Sequence, residues 1–258
     1  MELIDTHCHL DVDAFVQDRE NVLEHCRQLH IRKIVVPAIQ SKTWDTLLQV
    51  CDLHAGLYPT LGLHPMFIEQ HQNQDLIHLE NYIIKYHPCA VGEIGLDYYK
   101  KETVNCANRE KQIQFYSAQL DIAKRHGLPV ILHVRRAHQQ VLTLLKQKKV
   151  TAGIVHAFSG SREEAQRYID IGFKLGFGGS ITYPRAKRLR RLASELPLSS
   201  IVLETDAPDM TGFKHHGQRN SPEYLPECLQ TLSNLRKQSV EEIAAQTTRN
   251  AQEILKLS

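Results

Sequence analysis

The chain contains no C-x-x-C pair: Cys8, Cys26, Cys51, Cys89, Cys106 and Cys228 are scattered singly. That spacing fits neither a disulfide scaffold nor a zinc ribbon, and a reducing cytoplasm is the simplest compartment for it. Net charge is nearly absent as well, since 31 basic and 29 acidic side chains leave only +2. No global field draws the chain to nucleic acid or a membrane, so affinity for a polyanion has to come from a local patch. No apolar stretch approaches membrane-spanning length, and Met1-Glu2-Leu3-Ile4-Asp5 does not open a signal peptide. Gly/Ser-rich linkers, low-complexity tracts and exact repeats are missing too. A soluble, unprocessed cytoplasmic protein of one domain spanning 1–258 is expected, with no membrane association and no obligate protein partner.

What the sequence does contain is alternation. Short runs rich in apolar and β-branched residues recur between stretches of helical period, the pattern of βα units around a parallel sheet. Candidate strands run Leu3 to His9, Lys33 to Ala38, Tyr58 to His64, Ala90 to Asp97, Val130 to Val134, Gly153 to Ala157, Lys174 to Gly178 and Ile201 to Asp206. Helices are expected at Phe15 to Leu29, Trp44 to His54, Gln74 to Tyr86, Arg109 to His126, His138 to Lys146, Arg162 to Ile171 and Arg185 to Glu195. Two more follow, Pro222 to Arg236 and Val240 to Leu257, the second opened by a Ser239/Glu242 capping box. Eight such strands in a chain of 258 residues predict an α/β fold of the (β/α)8 TIM-barrel type.

Chemistry-bearing residues gather at the predicted strand ends. His7 and His9 are two apart, so strand alternation points both imidazoles to one face and Cys8 to the other. Glu93 lies between Gly92 and Gly95 inside a predicted strand, and an unpaired carboxylate buried there costs several kcal/mol unless it is protonated, salt-bridged or bound to metal. His133 and His156 close two further apolar runs, and Asp206 ends the eighth strand on the same face as Glu204. Singly, each has a plainer reading: two hydrogen-bonded histidines, or one half of a buried ion pair. Together, His7, His9, Glu93, His133, His156 and Asp206 fall on the barrel edge that carries TIM-barrel active sites. Their mixed donors suit divalent ions such as Mg2+, Mn2+ or Zn2+, and more than four ligands allow two ions bridged by a carboxylate.

Over almost its whole length the chain resembles the TatD-type metal-dependent deoxyribonucleases within the amidohydrolase-like barrels. The matching segments are Ile4-Asp5-Thr6-His7-Cys8-His9, Gly62-Leu63-His64-Pro65, Gly92-Glu93-Ile94-Gly95-Leu96-Asp97-Tyr98, Leu132-His133-Val134-Arg135, His156-Ala157-Phe158-Ser159-Gly160 and Glu204-Thr205-Asp206-Ala207-Pro208. The resemblance implies that His7, His9 and Asp206 help hold one metal, that His133 and His156 hold another, and that Glu93 bridges them. It also implies hydrolysis, often of DNA. Ala157 stands where a cysteine is common in that motif, and Asp209 where many relatives carry tyrosine. Both departures bear on substrate preference rather than on the metal site.

The expected reaction is attack of a metal-acidified water on a phosphorus centre, with Asp206 as general base. His64 and Arg135 suit phosphate recognition, although a packing imidazole and a structural ion pair are their plainer alternatives. Glu204 is placed to orient a ligand or water from behind. Arg185, Lys187, Arg188, Arg190 and Arg191 form one basic cluster, and Lys214, His215, His216 and Arg219 another. An ordinary solvated helix face is the favoured reading of the first. Tyr98 and Tyr99 are candidates to stack on a base, whereas Trp44 is assigned to the core. His25, His30, His54, His71, His78, His87, His126 and His138 are read as surface or packing residues. Two rivals to a DNA-cleaving enzyme remain at this stage: a metal-dependent hydrolase of an amide or small ester, and a binding module with a structural metal.

Overall fold

The computed structural model describes residues 2–99 and 105–257. Its strands are all parallel and lie in chain order in one sheet: β1 (Leu3–Asp5), β2 (Ile31–Pro37), β3 (Leu57–Leu61), β4 (Ala90–Asp97), β5 (Val130–Arg135), β6 (Gly153–Val155), β7 (Phe173–Phe177) and β8 (Ile201–Leu203). Past Asp5 the chain bonds to the other edge, Thr6 N–H to Leu203 O at 3.1 Å, Asp206 N–H to His7 O at 2.8 Å and His9 N–H to Ala207 O at 2.7 Å. These bonds bring the first and last strands together, so the sheet forms a nearly closed TIM-type barrel in a single α/β domain.

Helices α1 (Arg19–Gln28), α2 (Trp44–Leu53), α3 (Asn73–Tyr86), α4 (Cys106–Arg125), α5 (His138–Lys148), α6 (Arg162–Asp170) and α7 (Lys187–Glu195) each follow one strand. After β8 come α8 (Leu225–Arg236) and α9 (Val240–Leu255). The expected capping box opens α9, with Ser239 Oγ accepting from Glu242 N–H and the Glu242 carboxylate accepting from Ser239 N–H. The larger apolar core lies between strands and helices. A smaller one, with Ile4, Val35, Ile131, Ile154 and Val202, fills the barrel interior and is closed by Ala251, Leu255 and Leu257 at the end of α9. Among the described residues no helix is long and apolar enough to cross a membrane.

Four strands stop two or more residues earlier than the sequence pattern suggests: β1 at Asp5 rather than His9, β3 at Leu61 rather than His64, β6 at Val155 rather than Ala157, and β8 at Leu203 rather than Asp206. At this rim, side chains take over part of the backbone hydrogen bonding. Asp5 Oδ1 accepts from His7 N–H and Thr205 N–H, Gln119 Oε1 from Leu63 N–H, and Glu204 Oε1 from Ala157 N–H. The backbone stays satisfied without a regular ladder, which lets the chain turn at these positions.

Candidate metal centre

The rim brings the other five predicted ligands around the sixth, the carboxylate of Glu93. Glu93, 2 % exposed, divides them by its two oxygens. Oε2 lies 3.2 Å from His7 Nε2 and 3.6 Å from His9 Nε2, and these nitrogens stand 3.5 and 3.7 Å from Asp206 Oδ1. Oε1 lies 2.9 Å from His133 Nδ1, 3.0 Å from His156 Nε2 and 3.1 Å from His64 Nε2. Donors sharing one ion with bonds of about 2.0–2.2 Å stand roughly 3–3.5 Å apart. His7 Nε2 is fully buried, and although it faces Glu93 at 3.2 Å the contact is not aligned as a hydrogen bond. His133 Nδ1 and His64 Nε2 are hydrogen-bonded to Glu93 Oε1, so it is the unpartnered His7 nitrogen, together with the close spacing of all these donors, that fits a metal site. The spacings group His7, His9 and Glu93; His7, His156 and Asp206; and His64, Glu93 and His133.

Outer contacts set which ring nitrogen faces inward. His9 Nδ1–H donates to Pro37 O at 3.1 Å, leaving the Nε2 lone pair toward Glu93 and Asp206. Asp97 Oδ2 lies 3.0 Å from His133 Nε2, which leaves Nδ1 turned toward Glu93. His64 Nδ1 accepts from Met66 N–H, so its neutral form carries the proton on Nε2, toward Glu93. His71, buried behind it, donates from Nε2 to His64 O at 2.9 Å. Asp5 ties the His7 and Asp206 segments together by accepting from His7 N–H, Thr205 N–H and the Thr205 hydroxyl. Asp5 and Asp97 are supporting residues that the motifs alone leave without a role. Strand alternation carried a signal for both, because Asp5 is two residues from His7 and Asp97 four from Glu93.

Charge follows this packing. Burial opposes ionisation of Glu93, yet His64, His156 and His7 outweigh it and hold its carboxyl well below the usual range. Burial also disfavours the His156 cation, but Glu93 and Asp206 push its pKa up to about 10. His64 is depressed to about 4, chiefly by burial. Burial raises the Asp206 carboxyl against the pull of His156 and His9. Glu204 is pushed up to about 8 by burial; its Oε1 sits 3.9 Å from His156 Nδ1. It fits there because residue 176 is glycine: a Cβ at that position would lie 2.1 Å from Glu204 Oε2.

A cleft of about 560 Å³ opens above the cluster, with Glu93, His133, His156 and Asp206 at its base and Met66, Phe67, Phe177 and Met210 among its apolar walls. Arg135 lies on its rim, against the ring of Tyr99. The two basic clusters are largely engaged within the protein. Arg188 donates to Gly160 O and Ser159 O, Arg190 to Ile181 O, and Arg191 pairs with Glu195. Lys214 and His215 face Glu227, His216 faces Tyr183, and Arg219 is bidentate to Asp18. Trp44 is a core residue at 1 % exposure, donating to Gly62 O.

The TatD related DNase family model matches residues 4–256. The uncharacterised metal-dependent hydrolase YjjV of Escherichia coli is 41 % identical over 245 residues, covering 93 % of each chain. A crystal structure of the TatD homologue YjjV from the same species superposes with a TM-score of 0.94 at 39 % identity, covering 99 % of this chain and 98 % of that one. Human deoxyribonuclease TATDN3 is 31 % identical over 260 residues, covering 96 % of this chain and 93 % of its own. With a His/Glu/Asp cluster of metal-binding geometry at the rim of the same barrel, the chain belongs to the TatD-related DNase family and is a metal-dependent hydrolase.

Proposed function

We propose that the chain is a deoxyribonuclease that hydrolyses phosphodiester bonds with two divalent ions, Mg2+, Mn2+ or Zn2+. The observation that carries this reading is the division of the ligands by the two oxygens of Glu93. His7, His9 and Asp206 would hold one ion and His133 and His156 the other, with Glu93 shared. Such ions supply Lewis-acid stabilisation of phosphoryl oxygens and a water of lowered pKa. Family membership and the human relative's name support DNA as the substrate.

Asp206 takes the proton of the attacking water. Its side chain is 14 % exposed against 2 % for Glu93, so it is the more open of the two carboxylates at the base of the cleft. Burial makes it a stronger base. As the water oxygen bonds to phosphorus, the bond to the leaving sugar oxygen breaks, and that oxygen leaves with the proton that Asp206 has taken from the water. His64, whose Nε2–H is turned toward Glu93 Oε1 because Nδ1 accepts from the Met66 amide, donates to a phosphoryl oxygen that enters beside that carboxylate. Arg135 contacts the phosphate chain where it leaves the cleft.

The test is degradation of end-labelled single-stranded DNA by metal-loaded wild type, a chelated sample and Asp206→Asn, with an amide and a small phosphodiester run alongside. Metal-dependent nucleotide release should fall by about 10²-fold or more in the variant. Wild-type rates from a folded, metal-loaded Asp206→Asn protein would remove Asp206 as the base. Mutation-sensitive turnover of the amide alone would discard DNA as the substrate.

A further inference from the structure

A second cavity, of about 420 Å³, adjoins the metal-lined cleft and shares Arg135 and Ser159 with it. Its inner wall is a stacked cluster. The Arg135 guanidinium lies 3.5 Å and the Arg136 guanidinium 4.7 Å from the centre of the Tyr99 ring. Successive strand residues point to opposite faces. Arg136, however, has a φ of 56°, which turns the chain just past the end of β5 and sets both guanidiniums against one ring. For a non-glycine residue that backbone conformation is uncommon and needs support from its surroundings.

The other charged groups of this cavity are engaged. Glu164 accepts from Ser161 N–H at 2.7 Å, and Arg188 donates to Gly160 O and Ser159 O. Among the described residues, no carboxylate lies within ion-pair distance of Arg135 or Arg136. Asp97, the acidic group whose charge interacts with Arg135, is bonded to His133 and to Tyr99 N–H. Stacking on an aromatic ring holds a guanidinium plane in place while its N–H edges remain available, the fork that matches phosphate oxygens. Arg135 is two residues beyond His133 on the same strand face, about 7 Å along the strand, roughly the reach of one nucleotide.

We propose that Tyr99, Arg135 and Arg136 form a second phosphate-binding site, which takes the phosphate neighbouring the scissile one in a nucleic-acid strand. This rests on the nuclease reading above. The ring's task is to pre-organise the two guanidiniums, and theirs is to hold the strand while the adjacent phosphodiester enters the metal cleft.

The test is equilibrium binding of fluorescent single-stranded trithymidylate, with and without a terminal phosphate, to the metal-loaded full chain carrying Asp206→Asn to prevent turnover. In that background Arg136→Ala and Tyr99→Leu should each weaken binding about tenfold, and Arg136→Ala should reduce the slope of log K against log salt by about 0.7, one phosphate contact. Tyr99→Phe keeps the ring and should bind like its parent. A loss confined to the phosphorylated probe places a terminal phosphate in the site; an equal loss with both probes places an internal phosphodiester there. Unchanged affinity in Arg136→Ala, equal losses in Tyr99→Phe and Tyr99→Leu, or no binding by the parent overturns the site. Failure of the nuclease reading shows separately, as a wild type inert toward DNA, and the binding result decides the site in either case.

Discussion

Asp97 holds the Nε2 side of His133 at 3.0 Å and accepts from Tyr99 N–H at 2.8 Å, so its position is set from two directions. A carboxylate behind a ligand imidazole raises its basicity and fixes its ring. Asp97→Asn is therefore expected to lower metal affinity about 10-fold or more, read by competition with a chromogenic chelator; equal affinity in a folded variant would contradict this role. His156 supplies a second test. In the metal-free protein burial disfavours its cation, yet Glu93 and Asp206 raise its pKa to about 10. It carries a proton at pH 8 that an ion has to displace. Metal loading should release about one proton from this group, and apparent affinity should rise with pH up to about 10. Calorimetry in buffers of different ionisation heat measures the release, and none at pH 8 would contradict the assignment.

At the scale of elements, strand alternation accounts for some site positions and fails at others. Ile131 and His133 share a face of β5, Ile154 and His156 continue one face from β6, and Val202, Glu204 and Asp206 do the same from β8; in each case the interior apolar residue leads directly to a site residue. On β1 and β4 the step from Ile4 to His7 and from Ala90 to Glu93 is three, and the pairing register shifts between Leu3 and Ile4 and between Val91 and Ile94. Those irregularities come from cross-strand contacts that no local pattern contains. Close approach is similarly non-local: Gly176 on β7 exists beside Glu204 because no Cβ fits there. Gly176→Ala should destabilise the fold by about 1–3 kcal/mol, seen as a lower Tm, and an unchanged Tm would show that Glu204 can move aside. Ser239→Ala, which removes the cap of α9, should cost about 1 kcal/mol and leave metal affinity unchanged, since α9 closes the opposite end of the barrel interior.

For the whole molecule, the candidate ligands come from segments following β1, β6 and β8 and from β4 and β5 themselves, so an ion held there would tie together parts of the chain as far apart as His7 and Asp206. An ion at a thousandfold excess over its Kd stabilises the folded state by about 4 kcal/mol. For a chain of this size that is about 10 °C in Tm, and a calorimetric scan before and after chelation should show such a loss; no shift would mean that the cluster holds no ion tightly. The number and order of strands, the helix following each, and the side chains that cluster at the rim, His7, His9, Glu93, His133, His156 and Asp206, were legible in the sequence, because period, strand-end position and residue chemistry are local properties. The family was legible for the same reason, in short motifs spread along the chain. Only the tertiary structure decided the division of ligands between the two oxygens of Glu93, the inward nitrogen of each imidazole, the stacking of Arg135 and Arg136 on Tyr99, and the internal engagement of most of the other basic side chains. Each of these depends on distances between groups far apart in the chain, and those distances come into being only when the barrel closes.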